Sequence, residues 1–195
     1  MEKVTFGPQT LINPKPALLI GANVDDVPNF MTAAWCGIVN SDPPMLSVAI
    51  RPHRHTYKGI RQNSTLSVNV PSVDMVRETD YCGLYSGSKE DKVEACEFDI
   101  FYGKLKTAPL IEQCPVNLEC RVVHQLKLGS HILVIAAIEE TYVSKEGLTD
   151  GKPDADKIKP LIYISDVSGG TRAYHALGNL LAQSHSIGVE IKKKG

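Results

Sequence analysis

Residues 28–60, which read PNFMTAAWCGIVNSDPPMLSVAIRPHRHTYKGI, carry the strongest indications of fold and function in this chain. Two neighbouring apolar segments in this stretch share small side chains: Thr32, Ala33, Ala34, Ser47 and Ala49. A cluster of basic and hydroxyl residues follows them directly: Arg51, His53, Arg54, His55 and Thr56. Small side chains allow a flat ring to lie against backbone amides, and cations beside a helix start attract an anion. The stretch therefore predicts a pocket for a planar ligand with a phosphorylated tail.

Short apolar runs bounded by turn residues surround this stretch, which is typical of β-strands. Strands are predicted at residues 17–24, 31–39, 45–50, 66–70, 116–127, 131–143 and, as the final strand, 161–165. Leu128-Gly129-Ser130 predicts a hairpin turn between the two long strands. Helices are predicted at residues 56–62, capped by His55 or Thr56, at 72–81, capped by Ser72, and at 173–183. A polar surface loop is predicted at 145–159.

The arrangement of these elements favours one architecture. Many short strands with few helices, and no regular strand–helix–strand alternation, indicate a closed antiparallel β-barrel. The sequence contains no internal repeat and no linker-like stretch, so we expect a single domain over residues 1–195.

Composition argues against several classes of protein. The net charge of -1 lacks the basic excess expected of a nucleic-acid-binding protein. No apolar run approaches the roughly 18 residues that span a bilayer, and the start of the chain does not resemble a secretory signal, so we expect a cytoplasmic protein without a membrane partner. The five cysteines form no CxxC pair, which predicts reduced, mostly buried thiols and no metal site. Cys82 is interpreted as structural because the sequence offers it no resolving partner.

Four sequence blocks together resemble a known family. They are NFMTAAW at 29–35, PPMLSVAIRPHRHTYKGI at 43–60, LSVNV at 66–70 and DYCGLYSGSKEDK at 80–92. Their order and spacing resemble those of the FMN-binding flavin reductase-like proteins, which include the flavoredoxins, over about residues 10–185. The resemblance implies a mostly β, split antiparallel β-barrel of the Greek-key type with a few short peripheral helices. It also implies a homodimer with FMN near the interface.

The resemblance further implies roles for individual residues. The isoalloxazine ring would be lined by Asn29, Met31, Thr32, Ala33 and Ala34, and the ring or ribityl chain would be contacted by Ser47, Val48 and Ala49. The phosphate would be held by Arg51, Arg54, His55 and Thr56, with Ser86 and Lys92 as further donors from the segment that closes over the flavin. The chemistry takes place at flavin N5, so no catalytic side chain is implied.

Simpler structural interpretations remain open for several of these motifs. The 51–55 cluster also fits a basic loop that pairs with surface carboxylates, and the 80–92 block fits a helix end capped by glycine. Trp35 is assigned to barrel packing rather than to stacking on a ligand. In the segment with Tyr163 and 168–175, Tyr174 or His175 would lie over the exposed flavin face, from the other subunit; the alternative is a loop that leads into a packing helix.

The predicted function is an FMN-binding oxidoreductase that transfers electrons through its flavin. Two forms are open: a flavin reductase that oxidises NADH or NADPH, and a flavoredoxin-like carrier that exchanges electrons with a redox protein. Because the sequence has no GxGxxG motif after a strand, a nicotinamide would dock without a Rossmann domain. The rival hypothesis is a non-redox β-barrel module that binds another phosphorylated ligand or a protein partner.

Overall fold

The structure is a computed structural model and describes residues 1–166 and 170–194. Ser168 and Gly169, part of the late segment discussed above, lie outside the described residues. The strands are β1 (Lys15–Pro16), β2 (Leu18–Val24), β3 (Val27–Ala33), β4 (Cys36–Ser41), β5 (Pro44–Ile50), β6 (Thr65–Val70), β7 (Ile100–Phe101), β8 (Leu110–Ile111), β9 (Val116–Lys127), β10 (Ile132–Val143), β11 (Leu148–Thr149), β12 (Lys152–Pro153), β13 (Ile162–Ser165) and β14 (Arg172–His175). The α-helices are α1 (His55–Asn63), α2 (Val76–Leu84), α3 (Lys92–Ala95) and α4 (Ala155–Ile158), and 3-10 turns occur at Val73–Met75, Lys145–Gly147 and Ile187–Lys194. No helix within the described ranges is both long and apolar enough to span a membrane.

Seven strands form the main sheet, in the order β3-β2-β6-β9-β10-β5-β4, and every pairing in it is antiparallel. The two edge strands, β3 and β4, follow each other in sequence with only Ala34 and Trp35 between them. Since two residues cannot span an open seven-stranded sheet, the sheet must curl until its edges meet. The result is a barrel that is split between β3 and β4, which confirms the predicted mostly β, split-barrel fold.

Both faces of β2 are buried, and each face packs in a different cluster. Ile20 lies inside the barrel with Val48, Ile60, Leu66 and Val134, all almost completely buried. Leu19 points the other way and packs with Phe30, Met75 and Cys82 beneath α2 and α3. Successive side chains of a strand alternate between faces, so a strand covered on both sides reads as the uninterrupted apolar run that the sequence shows.

A buried carboxylate anchors the chain segment that connects α3 to β9. Glu119 on β9 is completely buried, and it accepts hydrogen bonds from the backbone N–H groups of Lys104 (3.0 Å) and Leu105 (2.8 Å) and from the Tyr142 hydroxyl (2.9 Å). These three donors satisfy a charge that would otherwise be costly to bury.

The predicted hairpin is confirmed, whereas the predicted strand at 31–39 is wrong. Leu128 N donates to His131 O at 2.9 Å, and Gly129 has a φ of +85° that suits a tight turn. The 31–39 run contains the end of β3 and the start of β4, because the chain crosses there from one edge of the sheet to the other. At the crossing, Trp35 O accepts from Ala49 N at 2.9 Å.

The predicted terminal helix at 173–183 is also wrong. Arg172–His175 forms β14, which pairs with β13, so that β13 is not the final strand. Beyond it, Leu177, Leu180 and Leu181 are exposed. Helix propensity alone rarely stabilises so short a segment without a surface to pack on.

The remaining helix and loop predictions need smaller corrections. Arg54, not His55 or Thr56, is the N-cap of α1, and it makes no side-chain capping bond. Ser72 precedes the 3-10 turn that leads into α2 and likewise makes no side-chain cap. The predicted loop at 145–159 contains a 3-10 turn, the β11–β12 hairpin and α4.

Candidate functional site

A cavity of about 770 Å³ lies where the barrel is split. Its walls come from the β3–β4 junction, β5 and the segment after it, α2, the start of β10 and the β13–β14 pair. The lining residues are Thr10, Ala17, Met31, Thr32, Ala33, Ala34, Trp35, Ala49, Arg51, His53, Arg54, Asp80, Gly83, Leu84, His131, Tyr163, Ser165, Asp166, Arg172 and Tyr174. The volume lies within the range of pockets that bind cofactors and drug-sized ligands.

Small residues form the part of the wall beside the split. Ala33 and Ala34 end β3, and Ala49 lies on β5 where its N–H bonds to Trp35 O. Thr32 turns its hydroxyl to the carbonyl oxygen of Thr79 on α2. Gly83 packs closely on Thr32, because a Cβ at position 83 would lie 3.3 Å from the Thr32 Cβ. Because these side chains are small, a flat ring can lie against the backbone of this wall.

Two arginines and a histidine form one end of the cavity, where Arg51, His53 and Arg54 follow β5. Both Nη atoms of Arg54 donate to Gly83 O at 3.1 Å. Burial, and next the nearby charge of Arg51, lowers the pKa of Arg54, though an arginine stays protonated at physiological pH. Helix α1 begins here with no acidic residue in its first turn and no side-chain cap. Both features favour an anion at this end.

A tyrosine and a carboxylate form another part of the cavity wall. The Tyr174 hydroxyl donates to Asp80 Oδ1 at 3.0 Å, which connects β14 to α2. Its ring lies 5.8 Å from the ring of Tyr163, the residue opposite it on β13. Burial, together with the hydrogen bond to Asp80, raises the pKa of Tyr174. The phenol is therefore a protonated donor at neutral pH.

Trp35 lies at the rim of the cavity, so its assignment to barrel packing is wrong. The side chain is 43% exposed and its ring stacks on His131, with centroids 4.8 Å apart and an interplanar angle of 30°. Burial, and next the neighbouring Arg51, lowers the pKa of His131, which favours the neutral form of the stacked imidazole. The pair provides a flat aromatic surface beside the small-residue wall.

Half of the fourteen residues predicted for the site meet in this cavity. They are Met31, Thr32, Ala33, Ala34, Ala49, Arg51 and Arg54. The other seven do not line it: Asn29, Ser47, Val48, His55, Thr56, Ser86 and Lys92. Their proposed contacts with a cofactor stay predictions.

Three of these seven residues, Asn29, Thr56 and Lys92, make buried hydrogen bonds that hold neighbouring elements together. Asn29 Nδ2 donates to Thr56 Oγ1 at 2.6 Å in a buried contact, and a Cβ on Gly87 would overlap the Asn29 amide. Lys92 is 4% exposed, and its Nζ donates to Phe30 O at 2.8 Å and Cys82 O at 2.9 Å. These contacts join the 86–92 segment to β3 and to the start of α1.

The remaining residues of the seven differ in burial. Val48 is fully buried in the barrel core, and Ser47 and His55 are half-buried. Burial lowers the pKa of His55, with a contribution from Lys58. Ser86 is exposed, and its hydroxyl is bonded to that of Ser88 at 3.0 Å.

The sequence alone does not predict the other walls of the cavity, whose residues are remote from the 28–60 stretch. Asp80, Gly83 and Leu84 are spaced i, i+3, i+4, which is a helix face that could have been recognised once α2 was placed. Tyr174 was considered and lines the cavity, whereas His175 is exposed and does not. His131 and Arg172 have no local pattern that marks them, because the fold alone brings them to the site.

The site is a cleft with aromatic and basic residues at the split of an antiparallel barrel. The family profile of the flavin reductase like domain matches residues 12–171. The chain therefore belongs to the flavin reductase-like family.

Solved structures and a sequence relative agree with this placement. The flavoredoxin of Methanosarcina acetivorans is 38% identical with a TM-score of 0.91, covering 98% of this chain and 100% of its own. The flavoredoxin of Desulfovibrio vulgaris is 34% identical with a TM-score of 0.87, covering 96% of this chain and 100% of its own. A protein from Archaeoglobus fulgidus is 35% identical over 127 residues, which are 65% of this chain and 71% of that protein. The family and the two flavoredoxins support a flavin-binding redox role.

Proposed function

We propose that this protein binds FMN in the cavity at the barrel split and transfers electrons through it. The observation that carries the proposal is the continuity of the small-residue wall, Thr32–Ala34 with Ala49, with the cationic end formed by Arg51 and Arg54. A tricyclic ring with a phosphorylated side chain needs both surfaces in one cavity. The likeness to two flavoredoxins over nearly the whole chain supports the same cofactor.

The side chains of this protein would bind and orient the cofactor, while FMN supplies the hydride and electron chemistry. Arg51 and Arg54 would hold the phosphate, and the backbone around Ala33 and Ala34 would fix the ring edge. Trp35 and His131 would exclude water from one side of the ring. Tyr174, held by Asp80, would offer a protonated phenol on the other wall.

We also propose that the active form is a homodimer in the cytoplasm. Large apolar side chains are exposed on the N-terminal segment (Phe6, Ile12), on β4 (Ile38, Val39) and in the C-terminal segment (Leu180, Leu181). Large apolar patches on a protein surface are typical of interaction surfaces, and a second copy is the occupant we expect for these side chains. Sedimentation of the FMN-loaded protein as a monomer would contradict this part of the proposal.

The first experiment uses the single tryptophan as a reporter. Trp35 lines the cavity, so titration with FMN should quench its fluorescence and saturate at one FMN per chain. Riboflavin, which lacks the phosphate, is the matched control ligand and should bind more weakly. A protein that stays colourless with excess FMN and shows no quenching would reject the flavin site and favour a non-redox module.

The second experiment distinguishes a reductase from a carrier. FMN-loaded protein is mixed anaerobically with NADH or NADPH, and the visible absorbance of the oxidised flavin is followed by stopped flow. We expect bleaching with at least one nicotinamide, with turnover when a flavin or iron acceptor is added. Bleaching only with a protein donor would instead assign the flavoredoxin-like carrier role.

A further inference from the structure

One wall of the cavity belongs to a sheet that is separate from the barrel. Strands β1, β13 and β14 form this three-stranded sheet. Tyr163 and Ser165 on β13 lie opposite Tyr174 and Arg172 on β14, and all four residues line the cavity. Alternate residues of a strand share a face, so one face of the β13–β14 pair presents two aromatic rings, a hydroxyl and a guanidinium to the cavity.

Lys15 on β1 places a buried positive charge beside this face. It is 8% exposed, and its Nζ donates to Asn13 Oδ1 at 2.7 Å and to Ser165 Oγ at 3.2 Å. Both acceptors are neutral, and none of the ion pairs among the side chains that the structure describes includes Lys15. A buried ammonium group is costly unless it is paired. Two of its three N–H donors are used, and the charge lacks a counter-ion within the described part of the chain.

Ser165 connects this charge to the cavity. The Asn13 side chain holds the Ser165 backbone, because its Nδ2 donates to Ser165 O at 2.9 Å and its Oδ1 accepts from Ser165 N at 3.4 Å. Since Ser165 Oγ accepts from the Lys15 ammonium, the hydroxyl proton must point away from Lys15. The hydroxyl makes no other hydrogen bond within residues 1–166 and 170–194. The Ser165 O–H is therefore a polarised donor at the cavity wall.

Arg172 adds a second cation to the same wall. It lies opposite Ser165 and is exposed, and it takes part in none of the ion pairs between described side chains. Asp166 also lines the cavity, and its Oδ2 accepts from Thr171 N at 2.8 Å. The cations of Lys15 and Arg172 and the one carboxylate of Asp166 leave this part of the wall with a net positive charge. An anion would balance it.

We propose that Ser165 and Arg172, with Lys15 as the positioning residue behind Ser165, form a subsite for the anionic group of a second planar ligand. The inference rests on the proposed FMN site, because the second ligand is the molecule that exchanges electrons with the flavin. The anionic group is an oxyanion, a carboxylate or a phosphate, which a guanidinium can bind through two parallel hydrogen bonds. The rings of Tyr163 and Tyr174, with centroids 5.8 Å apart, offer apolar surface to the planar part of the ligand.

The phosphate of FMN does not account for these residues. Arg51 and Arg54 follow β5 of the barrel, whereas Lys15 and Arg172 belong to the separate β1–β13–β14 sheet. One FMN carries one phosphate, and the segment after β5 already provides two guanidinium groups for it. Once FMN occupies that end, the cations of the separate sheet still lack an anion, which a second ligand supplies.

The experiment saturates the full-length protein with FMN and titrates it calorimetrically with three small aromatic probes. Benzoate carries a carboxylate, phenyl phosphate carries a phosphate, and benzamide is the uncharged control. We expect at least one of the two anions to bind roughly tenfold or more tightly than benzamide, as a charge-assisted hydrogen bond implies. The anion that binds more tightly identifies the group as a carboxylate or a phosphate. Equal binding of benzamide and both anions would overturn the proposal.

Variants assign the binding to particular residues. Arg172→Gln should raise the dissociation constant of the preferred anion roughly tenfold or more. Arg77→Gln, at an exposed arginine of α2 that does not line the cavity, should leave it unchanged. Lys15→Met should reduce the preference for the anion over benzamide, a ratio that a loss of packing alone would not change. If Lys15→Met does not fold, the comparison of Arg172→Gln with Arg77→Gln decides.

The outcomes separate this subsite from the FMN site. Equal anion binding by Arg172→Gln and Arg77→Gln would overturn the subsite. So would an FMN affinity that Arg172→Gln lowers as much as Arg54→Ala does, because these residues would then hold the FMN phosphate. If the protein takes up no FMN, the proposed function fails, and the same titrations of the flavin-free protein test the subsite alone. Anion binding that is then lost in Arg172→Gln supports the subsite, and binding lost only in Arg54→Ala rejects it.

Discussion

Both Nη atoms of Arg54 donate to the carbonyl oxygen of Gly83 at 3.1 Å, which joins the residue before α1 to the end of α2. Lys92 Nζ donates to the preceding carbonyl, that of Cys82. The last carbonyls of a helix lack intrahelical partners and carry partial negative charge, so cations stabilise this end. Because Arg54 and Gly83 also line the cavity, the position of the α2 wall depends on the residue that we expect to bind the phosphate.

Replacement of Arg54 by alanine should weaken FMN binding. The loss of a charge-assisted bond to the phosphate costs about 1.5–3 kcal/mol, which corresponds to a dissociation constant roughly 10- to 150-fold higher. The dissociation constant is measured by quenching of Trp35 fluorescence. Arg61→Ala removes an exposed arginine from the other end of α1 and should leave the affinity unchanged. Equal affinities of the two variants would remove Arg54 from the FMN site.

Enlargement of the small-residue wall should exclude the flavin without unfolding the protein. Ala34 is half-buried and lines the cavity, so the side chain of Ala34→Leu would occupy the space of the ring. Ala34→Ser keeps the size and is the matched control. We expect the leucine variant to lose the yellow colour after gel filtration with FMN, and the serine variant to keep it. Retention of stoichiometric FMN by both variants would place the ring elsewhere.

The sequence predicted those parts of the site that are close together along the chain. Ala34 and Arg54 lie in adjacent blocks whose residue types match a ring and a phosphate, so both could be found before the fold was known. Tyr174 and Asp80 face each other only because the β13–β14 pair lies over α2. No pattern local to either residue reveals such a contact.

The wrong predictions at Trp35 and at residues 173–183 have a common physical cause. Apolar alternation continues through Trp35 and predicts barrel packing, although the chain changes sheet edge there and leaves the ring at the cavity rim. In the same way, the leucine-rich segment after β14 has a helical composition, but its side chains Leu177, Leu180 and Leu181 are exposed. Apolar periodicity indicates which face of an element is apolar, but it does not indicate whether another element packs on that face.

The stability of the protein should respond to the ionisation of Lys92. Burial lowers the pKa of Lys92 to about 8, below its value in the unfolded chain. The unfolded state therefore binds more protons than the folded state between about pH 8 and pH 10.5, so the Lys92 contribution makes the free energy of unfolding rise with pH in that window.

The pH dependence of the free energy of unfolding is measured in urea at pH 7.5 and pH 9.5, for the unmutated protein and for Lys92→Met. We expect the unmutated protein to gain stability relative to Lys92→Met as the pH rises. Lys89→Met, at an exposed lysine of the same segment, should behave like the unmutated protein. A pH dependence that is identical in Lys92→Met would show that Lys92 keeps an ordinary pKa.

The hydrogen bond between Tyr174 and Asp80 should contribute to retention of the cofactor. Tyr174→Phe and Asp80→Asn each weaken the connection between β14 and α2 across the cavity, and we expect FMN to dissociate faster from both. A double-mutant cycle on the free energy of unfolding should give a coupling of about 0.5–1.5 kcal/mol. Tyr163→Phe keeps the ring that packs on Tyr174 and is the control. Strictly additive effects of the two substitutions would mean that the bond contributes nothing in solution.

The largest loss of stability from a nearly isosteric substitution is expected at Glu119. Its two carboxylate oxygens accept from Lys104 N, Leu105 N and the Tyr142 hydroxyl in a fully buried site. In Glu119→Gln an amide NH₂ replaces one acceptor oxygen, so two buried donors face each other and one is left without a partner. The cost is about 1–3 kcal/mol in the free energy of unfolding, measured in urea. Glu139→Gln removes only a surface ion pair with Arg121 and should cost roughly 0.5 kcal/mol or less. Similar losses in the two variants would indicate that water reaches Glu119 and satisfies the groups that the substitution leaves unpaired.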